Sequence, residues 1–394
     1  MIGIALRALE FLAFALAVYF AFAAARHAVF SLVALVVRHS GARPHEPRTR
    51  FTVLIPAHNE EAGVGRTISA AREIDYPAHM FEIVVLADNC DDGTADVARR
   101  AGVNVVERRD PRKRGKGFAL DWFISGRTWG EGDALVCLDA DSVVDADYLR
   151  ALDAAIQDGA PAVQGYNGAR DPGRSSLAAL STLTNTMKNA GTYAGRARLG
   201  LPAPLMNGWC LTGRVLRNCG WMSFSVAEDF EQTLRLAILG VYPRFVDSVA
   251  VRSEKASSFA KAAGQRKRWS GGQAQVAKTL GRYARRKAIR ERSWSLWELT
   301  MDVVLPGYAI NAAALIALAL GACRFVLPWV WLASCVGLLM IAVATFVGVV
   351  KTRPRSAVIR GLALAPFFVV WKVLLAISAR IRPPKTWHRA DRDD

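Results

Sequence analysis

Apolar stretches at both ends of the chain restrict what it can fold into more than any other feature. Residues 11–25 are almost wholly apolar, and 28–37 continue the run after Arg26-His27. At ~1.5 Å per helical residue, a helix over residues 4–25 reaches about 33 Å, enough to cross a bilayer core. The region is long and no small-residue cleavage site follows it, which argues for a spanning helix over a cleaved signal peptide. Toward the other end, residues 302–322 and 328–350 are each long enough to span, with a short turn around Arg324 between them. A last apolar stretch, 362–377, contains Pro366 and Lys372 between basic flanks and reads as interfacial, re-entrant or a further crossing. Arg38, Arg43, Arg48 and Arg50 follow the first segment, against Arg7 alone before it. The positive-inside rule therefore puts the middle of the chain in the cytoplasm of a multi-pass inner-membrane protein.

That middle alternates between strand and helix signals. Apolar runs at 51–55, 81–87, 103–107 and 133–138 are separated by helical stretches at 60–73, 92–101 and 117–124. The pattern predicts an α/β fold with a parallel sheet and helices on both faces. Pro56 is expected to end the first strand. Residues 171–275 predict helices at 175–189 and 227–239, a Gly- and Pro-rich loop over 200–213, and a strand at 241–251. Residues 276–300 interleave Lys278, Arg282, Arg285, Arg286 and Arg290 with Tyr283, Trp294 and Trp297, which fits a helix lying on an anionic membrane face. The net charge of +17, from 51 Lys and Arg against 34 Asp and Glu, calls for an anionic partner. With apolar segments so close, membrane lipids and a phosphorylated substrate suit that charge better than nucleic acid does. The six cysteines show no metal spacing, as expected of reduced thiols on the cytoplasmic side. The organisation expected is a transmembrane helix in 1–40, a catalytic domain over 50–275, the basic segment 276–300, a membrane region 301–381 and a polar tail 382–394.

The chemistry-bearing residues gather at strand ends. Leu135-Val136-Cys137-Leu138 reads as a buried strand, followed at once by Asp139-Ala140-Asp141. Two carboxylates this close repel unless a cation lies between them, and a hard divalent ion shared with substrate phosphates suits oxygen ligands. Taken alone, the pair is equally well a polar turn. Other groups follow the same logic: Pro56-Ala57-His58-Asn59-Glu60 after the first strand, Asp88 to Thr94 after the second, and Arg114-Gly115-Lys116-Gly117. Parallel strands deliver their C-terminal ends to one sheet edge, so these groups converge. They describe a nucleoside-diphosphate site, with Asp88 for base and ribose, Lys116 for phosphates, and Asp139 and Asp141 for a metal. No Gly-x-Gly-x-x-Gly follows a strand and no Gly-x-x-x-x-Gly-Lys-[Ser/Thr] occurs, so dinucleotide binding and phosphate-loop NTPase chemistry lack support. Glu228-Asp229 opens a helix, where a carboxylate suits a general base or an N-cap equally. In Gln265-Arg266-Lys267-Arg268-Trp269, Arg268 can bridge a diphosphate bidentately and Trp269 offers a flat face for stacking.

Together these motifs resemble those of the membrane-bound family-two glycosyltransferases, the inverting class that includes cellulose, hyaluronan and chitin synthases. The resemblance covers residues 50–275 and implies a GT-A domain, Rossmann-like with a mostly parallel sheet, flanked by transmembrane helices. It implies Asp88 as the nucleotide-binding aspartate, Asp139 and Asp141 as the metal motif, Asp229 within Glu228-Asp229 as the general base, and Gln265, Arg268 and Trp269 as a donor-side motif. Pro56, His58, Glu60 and Lys116 complete the nucleotide-sugar side. Asn207-Gly208-Trp209 stands where relatives often carry a Gly-Thr-Gly-like loop facing the acceptor, so these three are the expected acceptor contacts; Ala227 replaces a common Thr. The reaction implied is a single displacement from a nucleotide-sugar donor, a UDP-sugar foremost, with magnesium or manganese, onto a lipid-linked or saccharide acceptor. Membrane lipids and other polysaccharide-assembly proteins are the further partners. About three crossings are too few to line an export channel alone, which favours addition of one sugar over processive polymerisation. A non-catalytic nucleotide-sugar-binding protein is disfavoured by the intact Asp139, Asp141 and Asp229.

Overall fold

A computed structural model describes residues 2–37, 45–255, 259–351, 359 and 361–381. The polar tail at 382–394, with Arg38, Arg43, Arg353, Arg355 and Arg360, lies outside the described residues. The chain divides into two compact units, one of residues 1–38, 172–198 and 305–382, the other of residues 39–171, 199–304 and 383–394.

The first unit is helical. Ile2–Val36 is one helix, uninterrupted at Arg26-His27. Among the described residues, three helices are long and apolar enough to cross a membrane: Ile4–Val36, Tyr308–Phe325 and Pro328–Lys351. The second begins later than the apolar run suggests, because Leu305-Pro306-Gly307 breaks it; residues up to Val304 form a separate helix, Trp294–Val304. Ala365–Ile381 is a further helix, with Pro366 in its first turn where the missing N–H does no harm. The helix expected at 175–189 is longer. It is capped by Ser175 and runs α over Ser176–Thr186, π over Met187–Tyr193 and α again over Ala194–Arg198. At the π turn, Thr192 Oγ1 lies 3.0 Å from His27 Nδ1 and 3.0 Å from the Tyr308 hydroxyl. The polar break in the first apolar run thus has partners within the unit.

The second unit is built on one sheet. Its strands are β1 (Arg50–Ala57), β2 (Phe81–Asp88), β3 (Asn104–Arg108), β4 (Asp133–Cys137), β5 (Ser142–Val144), β6 (Ala162–Ala169), β7 (Trp209–Thr212) and β8 (Pro243–Ser253). They lie in the order β3-β2-β1-β4-β7-β6-β8-β5. β3, β2, β1 and β4 run parallel; β7 is antiparallel to both β4 and β6; β8 is parallel to β6 and antiparallel to β5. Alternate residues of the inner strands feed cores on opposite faces. Val53, Ile55, Val85 and Val136 pack in one core, Leu54, Leu86, Leu135 and Cys137 in the other. This double burial is why the strands read as continuous apolar runs.

Two expectations are corrected. β1 does not stop before Pro56 but continues through Ala57, with Pro56 in register opposite Leu86. Leu54 accepts from Leu138 N on the β4 side, so Pro56, two residues on, turns its missing donor toward the same side, where β4 has ended. The loop expected over 200–213 contains β7, inserted between β4 and β6. β5 and β6 were not anticipated.

Candidate active site

β1, β2 and β4 end along one edge of the sheet, and the loops beyond them carry two groups of side chains. The first surrounds Asp88. Asp88 and Arg108 are register partners at the ends of β2 and β3. Arg108 donates to Asp88 Oδ1 at 2.5 Å and Asn89 Nδ2 to the same oxygen at 2.9 Å. Both members of the ion pair are buried, at 6% and 4% exposure. Arg108 also reaches the Lys113 carbonyl at 2.9 Å. His58 Nδ1 lies 2.7 Å from the Asp88 carbonyl, tying the loop after β1 to that after β2. Asn59 and Asn89 turn those loops with left-handed φ of 55° and 52°, a conformation Asn tolerates. Buried Glu60 donates its N–H to Thr94 Oγ1 at 2.8 Å. Pro56 lies within β1 itself.

The second group is built around Lys116. Its ammonium lies 2.9 Å from Asp139 Oδ1, 3.4 Å from Glu228 Oε1 and 3.8 Å from Asp229 Oδ1. Lys116 opens the helix Lys116–Ser125, and Gly117 lets that helix come close; a Cβ there would stand 2.2 Å from the Ser223 carbonyl oxygen. Glu228 and Asp229 open the helix Glu228–Ile238. Burial alone would lower the Lys116 ammonium, but Asp139, Asp229 and Glu228 hold it well above its ordinary range. Glu228 is pushed up to about 7, first by burial and then by the Asp229 charge, against the pull of Lys116. Burial also raises Asp229; Lys116 and a hydrogen bond from Trp209 oppose the rise, and Asp139 adds to it. Three carboxylates from two distant segments thus share one cation at a sheet edge.

Asn207-Gly208-Trp209 lies inside this group. Trp209, expected as an acceptor contact, is completely buried in this structure and presents no face to solvent. Its Nε1 donates to Asp229 Oδ1 at 3.1 Å. Asn207, also buried, accepts from Asp139 N at 2.9 Å. Gln265, Arg268 and Trp269 lie on the helix Phe259–Val276, and the Trp269 ring is half exposed. Gly272, one turn beyond Arg268, packs this helix on the start of the Glu228 helix; a Cβ there would lie 2.8 Å from the Ala227 Cβ. Ala227 is thus a small residue where two helices touch.

Sequence reasoning missed Arg108, one of several basic residues in its stretch, and Lys255. The β5–β8 register sets Ser142 opposite Ser253, so Lys255 follows the strand that faces the end of the Asp139-Asp141 turn. Lys255 donates to Ser253 Oγ at 2.9 Å. Burial lowers its ammonium, Asp141 and Asp139 oppose that fall, and Arg266 adds to it.

No group of three or more His, Cys, Asp or Glu side chains able to hold a metal occurs among the described residues. Asp139 and Asp141 offer hard oxygen donors but not a full cage. That donor set fits magnesium or manganese, which keep positions open for a substrate's phosphates.

The family model Glycosyltransferase like family 2 matches residues 47–272. A probable glycosyltransferase, YdaM, of Bacillus subtilis is 27% identical over 252 residues, covering 61% of this chain and 59% of that protein. Glucomannan 4-beta-mannosyltransferase 7 of Arabidopsis thaliana is 26% identical over 262 residues, covering 62% of this chain and 46% of its own. The alignments therefore span about half the length of these relatives. Among solved structures, mannosyltransferase PcManGT from Pyrobaculum calidifontis, in complex with GDP-Man and Mn2+, superposes with a TM-score of 0.57. It is 19% identical, and the match covers 95% of this chain and 99% of that one.

Proposed function

The chain belongs to glycosyltransferase-like family 2, and on that premise we propose that it is an inverting hexosyltransferase. It moves one sugar from a nucleoside-diphosphate sugar, a UDP-sugar foremost, to a lipid-linked or saccharide acceptor at a membrane face. The observation that carries this reading is the Lys116 ammonium lying 2.9–3.8 Å from Asp139, Glu228 and Asp229. It brings a phosphate-binding cation, a metal carboxylate and a candidate base to one point.

The acceptor hydroxyl attacks the anomeric carbon from the face opposite the diphosphate. The C–O bond to the diphosphate breaks as the new glycosidic bond forms, and Asp229 takes the hydroxyl proton. Lys116 and Arg268 stabilise the charge that develops on the leaving phosphate oxygens. Asp88, oriented by Arg108 and Asn89, accepts from the nucleoside. Asp139 and Asp141 would hold a divalent cation, which when bound would supply Lewis-acid neutralisation of the diphosphate. The exposed basic face of the helix Arg282–Arg290, with Tyr283 and Trp294 also exposed, suits anionic lipid headgroups beside the acceptor.

The test is incubation of the full chain with membrane lipids and a panel of UDP- and GDP-sugars, followed by mass analysis of the lipids. GDP-mannose belongs in the panel because the Pyrobaculum protein binds it. One donor should yield free nucleoside diphosphate and a lipid one hexose heavier, and chelation should stop the reaction. Asp229→Asn should bind donor normally and lose at least ~100-fold in transfer, the typical contribution of a general base. Native transfer by that variant refutes the base assignment, and a ladder of polymers refutes single addition.

A further inference from the structure

The turn Asn207-Gly208-Trp209 holds the two ends of the candidate site at once. Asn207 spans the Asp139-Ala140-Asp141 loop. Its Oδ1 accepts from Asp139 N at 2.9 Å and its Nδ2 donates to Ser142 Oγ at 2.8 Å. Both ends of one buried amide are therefore spent on fixing where the carboxylate pair begins and ends. Two residues later, Trp209 Nε1 reaches Asp229 Oδ1 at 3.1 Å.

The turn itself has little freedom. Gly208 N donates to the Cys137 carbonyl at 2.9 Å, and the Gly208 carbonyl accepts from the Tyr148 hydroxyl at 2.6 Å. Gln164 Nε2 donates to the Asn207 carbonyl at 3.1 Å, and Gln164 Oε1 accepts from Met206 N at 2.6 Å. Gly208 has φ of +83°, and a Cβ there would lie 2.4 Å from Val251 Cγ2. The Trp209 ring is stacked on Trp221, with centroids 5.1 Å apart and planes 20° from parallel. Trp221 is held in turn by its own hydrogen bond to the Ser223 carbonyl.

We propose that Asn207-Gly208-Trp209 is a positioning element that sets the carboxylate pair and Asp229 in one fixed register. Asn207 fixes the spacing of Asp139 and Asp141. The Trp209 indole locks the Asp229 side chain by engaging Oδ1, which leaves Oδ2 to receive the acceptor proton. Both residues act through carboxylates and neither touches substrate. The inference rests on Asp229 being the base.

Four variants of the full chain separate the possibilities. Trp209→Phe keeps an aromatic ring against Trp221 and deletes the N–H. It should lower kcat about 10- to 100-fold, the loss expected for one hydrogen bond to a charged group, with the donor KM within about twofold of native. Trp209→His, which keeps a ring N–H, should recover part of that loss. Asn207→Ala should leave the donor-free protein folded but weaken Mn2+ about 10- to 100-fold, read from the rise in melting temperature with added Mn2+ and no donor. Native kcat in Trp209→Phe overturns the role of the indole. So does a loss that appears equally in KM, or one that Trp209→His leaves untouched. Native Mn2+ affinity in Asn207→Ala overturns the role of the amide. Asp229→Asn run alongside keeps the two readings apart. If it is active, the base assignment fails; if it is inactive while Trp209→Phe is native, the positioning inference alone fails.

Discussion

Replacing Lys116 by Met deletes a charge and keeps most of the volume. The ammonium lies 3.4 Å from Glu228 and 3.8 Å from Asp229, whose side chains are 15% and 21% exposed. At an effective dielectric of ~20, each contact is worth about 4–5 kcal/mol before desolvation is subtracted. Asp139 is nearer, at 2.9 Å, but its side chain is 41% exposed, so its share falls toward the surface value of about 0–1 kcal/mol. Removing one partner of a buried ionic group typically costs about 3–5 kcal/mol, because the remaining charges are stranded. Here the stranded groups can respond by binding protons. Both carboxyls already titrate above their ordinary values, and without Lys116 both rise further. A carboxyl whose folded pKa is raised holds its proton in the folded state where the unfolded chain has released it. Its contribution is therefore neutral below the unfolded pKa and becomes destabilising as pH climbs toward the folded one. Lys116→Met should lose about 3–5 kcal/mol at pH 8.5, or roughly 6–20 °C in melting temperature for a unit of this size, and much less at pH 5. The assay is intrinsic tryptophan fluorescence on heating, in chelator, for native and variant chains at both pH values. An equal loss at pH 5 and pH 8.5 would refute the reasoning, since missing packing is insensitive to pH.

Glu228→Gln should match the native protein at pH 5 and exceed it in melting temperature at pH 8 without metal, because the native carboxyl, pushed up to about 7, must ionise in place over that interval. Arg108→Leu strands the buried Asp88 charge and should cost about 3–5 kcal/mol in denaturant unfolding, with Asp88→Asn in the same chain recovering a large part. Gly208→Ala should cost at least about 1–3 kcal/mol by the same measurement, since its Cβ meets Val251 and the Tyr148 hydroxyl at a left-handed φ.

What could be read in advance follows from burial on two faces. Phe51 to Ile55, Phe81 to Ala87 and Asp133 to Leu138 announce themselves as apolar runs because, past their first residues, both faces of each strand are buried. β6 contains Gln164, Gly165, Asn167 and Gly168 and shows no such run, yet Gln164 is completely buried. Its amide binds the turn before β7, so a polar residue serves as interior structure there, and a binary pattern cannot register that. β7 is four residues long and hides among glycines and prolines. Trp209 read as an acceptor contact because its loop stands where the family resemblance implies an acceptor-facing loop; its partner Asp229 is twenty residues away and adjacent only through the fold. The place of Asp139 and Asp141 just past a strand end was legible because strand and carboxylates are contiguous in the chain. Arg108 was not, since only the β2–β3 register sets it apart from neighbouring cations.

The chain order of the two units has a consequence for synthesis. Residues 1–38 belong to the first unit, 39–171 to the second, 172–198 to the first again, 199–304 to the second and 305–382 to the first. At ~5–20 residues per second, roughly 15–50 s separate the emergence of residue 38 from that of residue 305. The helix Ile2–Val36 must wait that long for the helices Tyr308–Phe325 and Pro328–Lys351, which a continuous helix can do because its backbone hydrogen bonds are already made. The sheet waits as well, since β7 lies between β4 and β6 but leaves the ribosome only after residues 172–198. Each unit is thus left unfinished while the other is being made, and the sheet gains β7 and β8 only in the second half of translation.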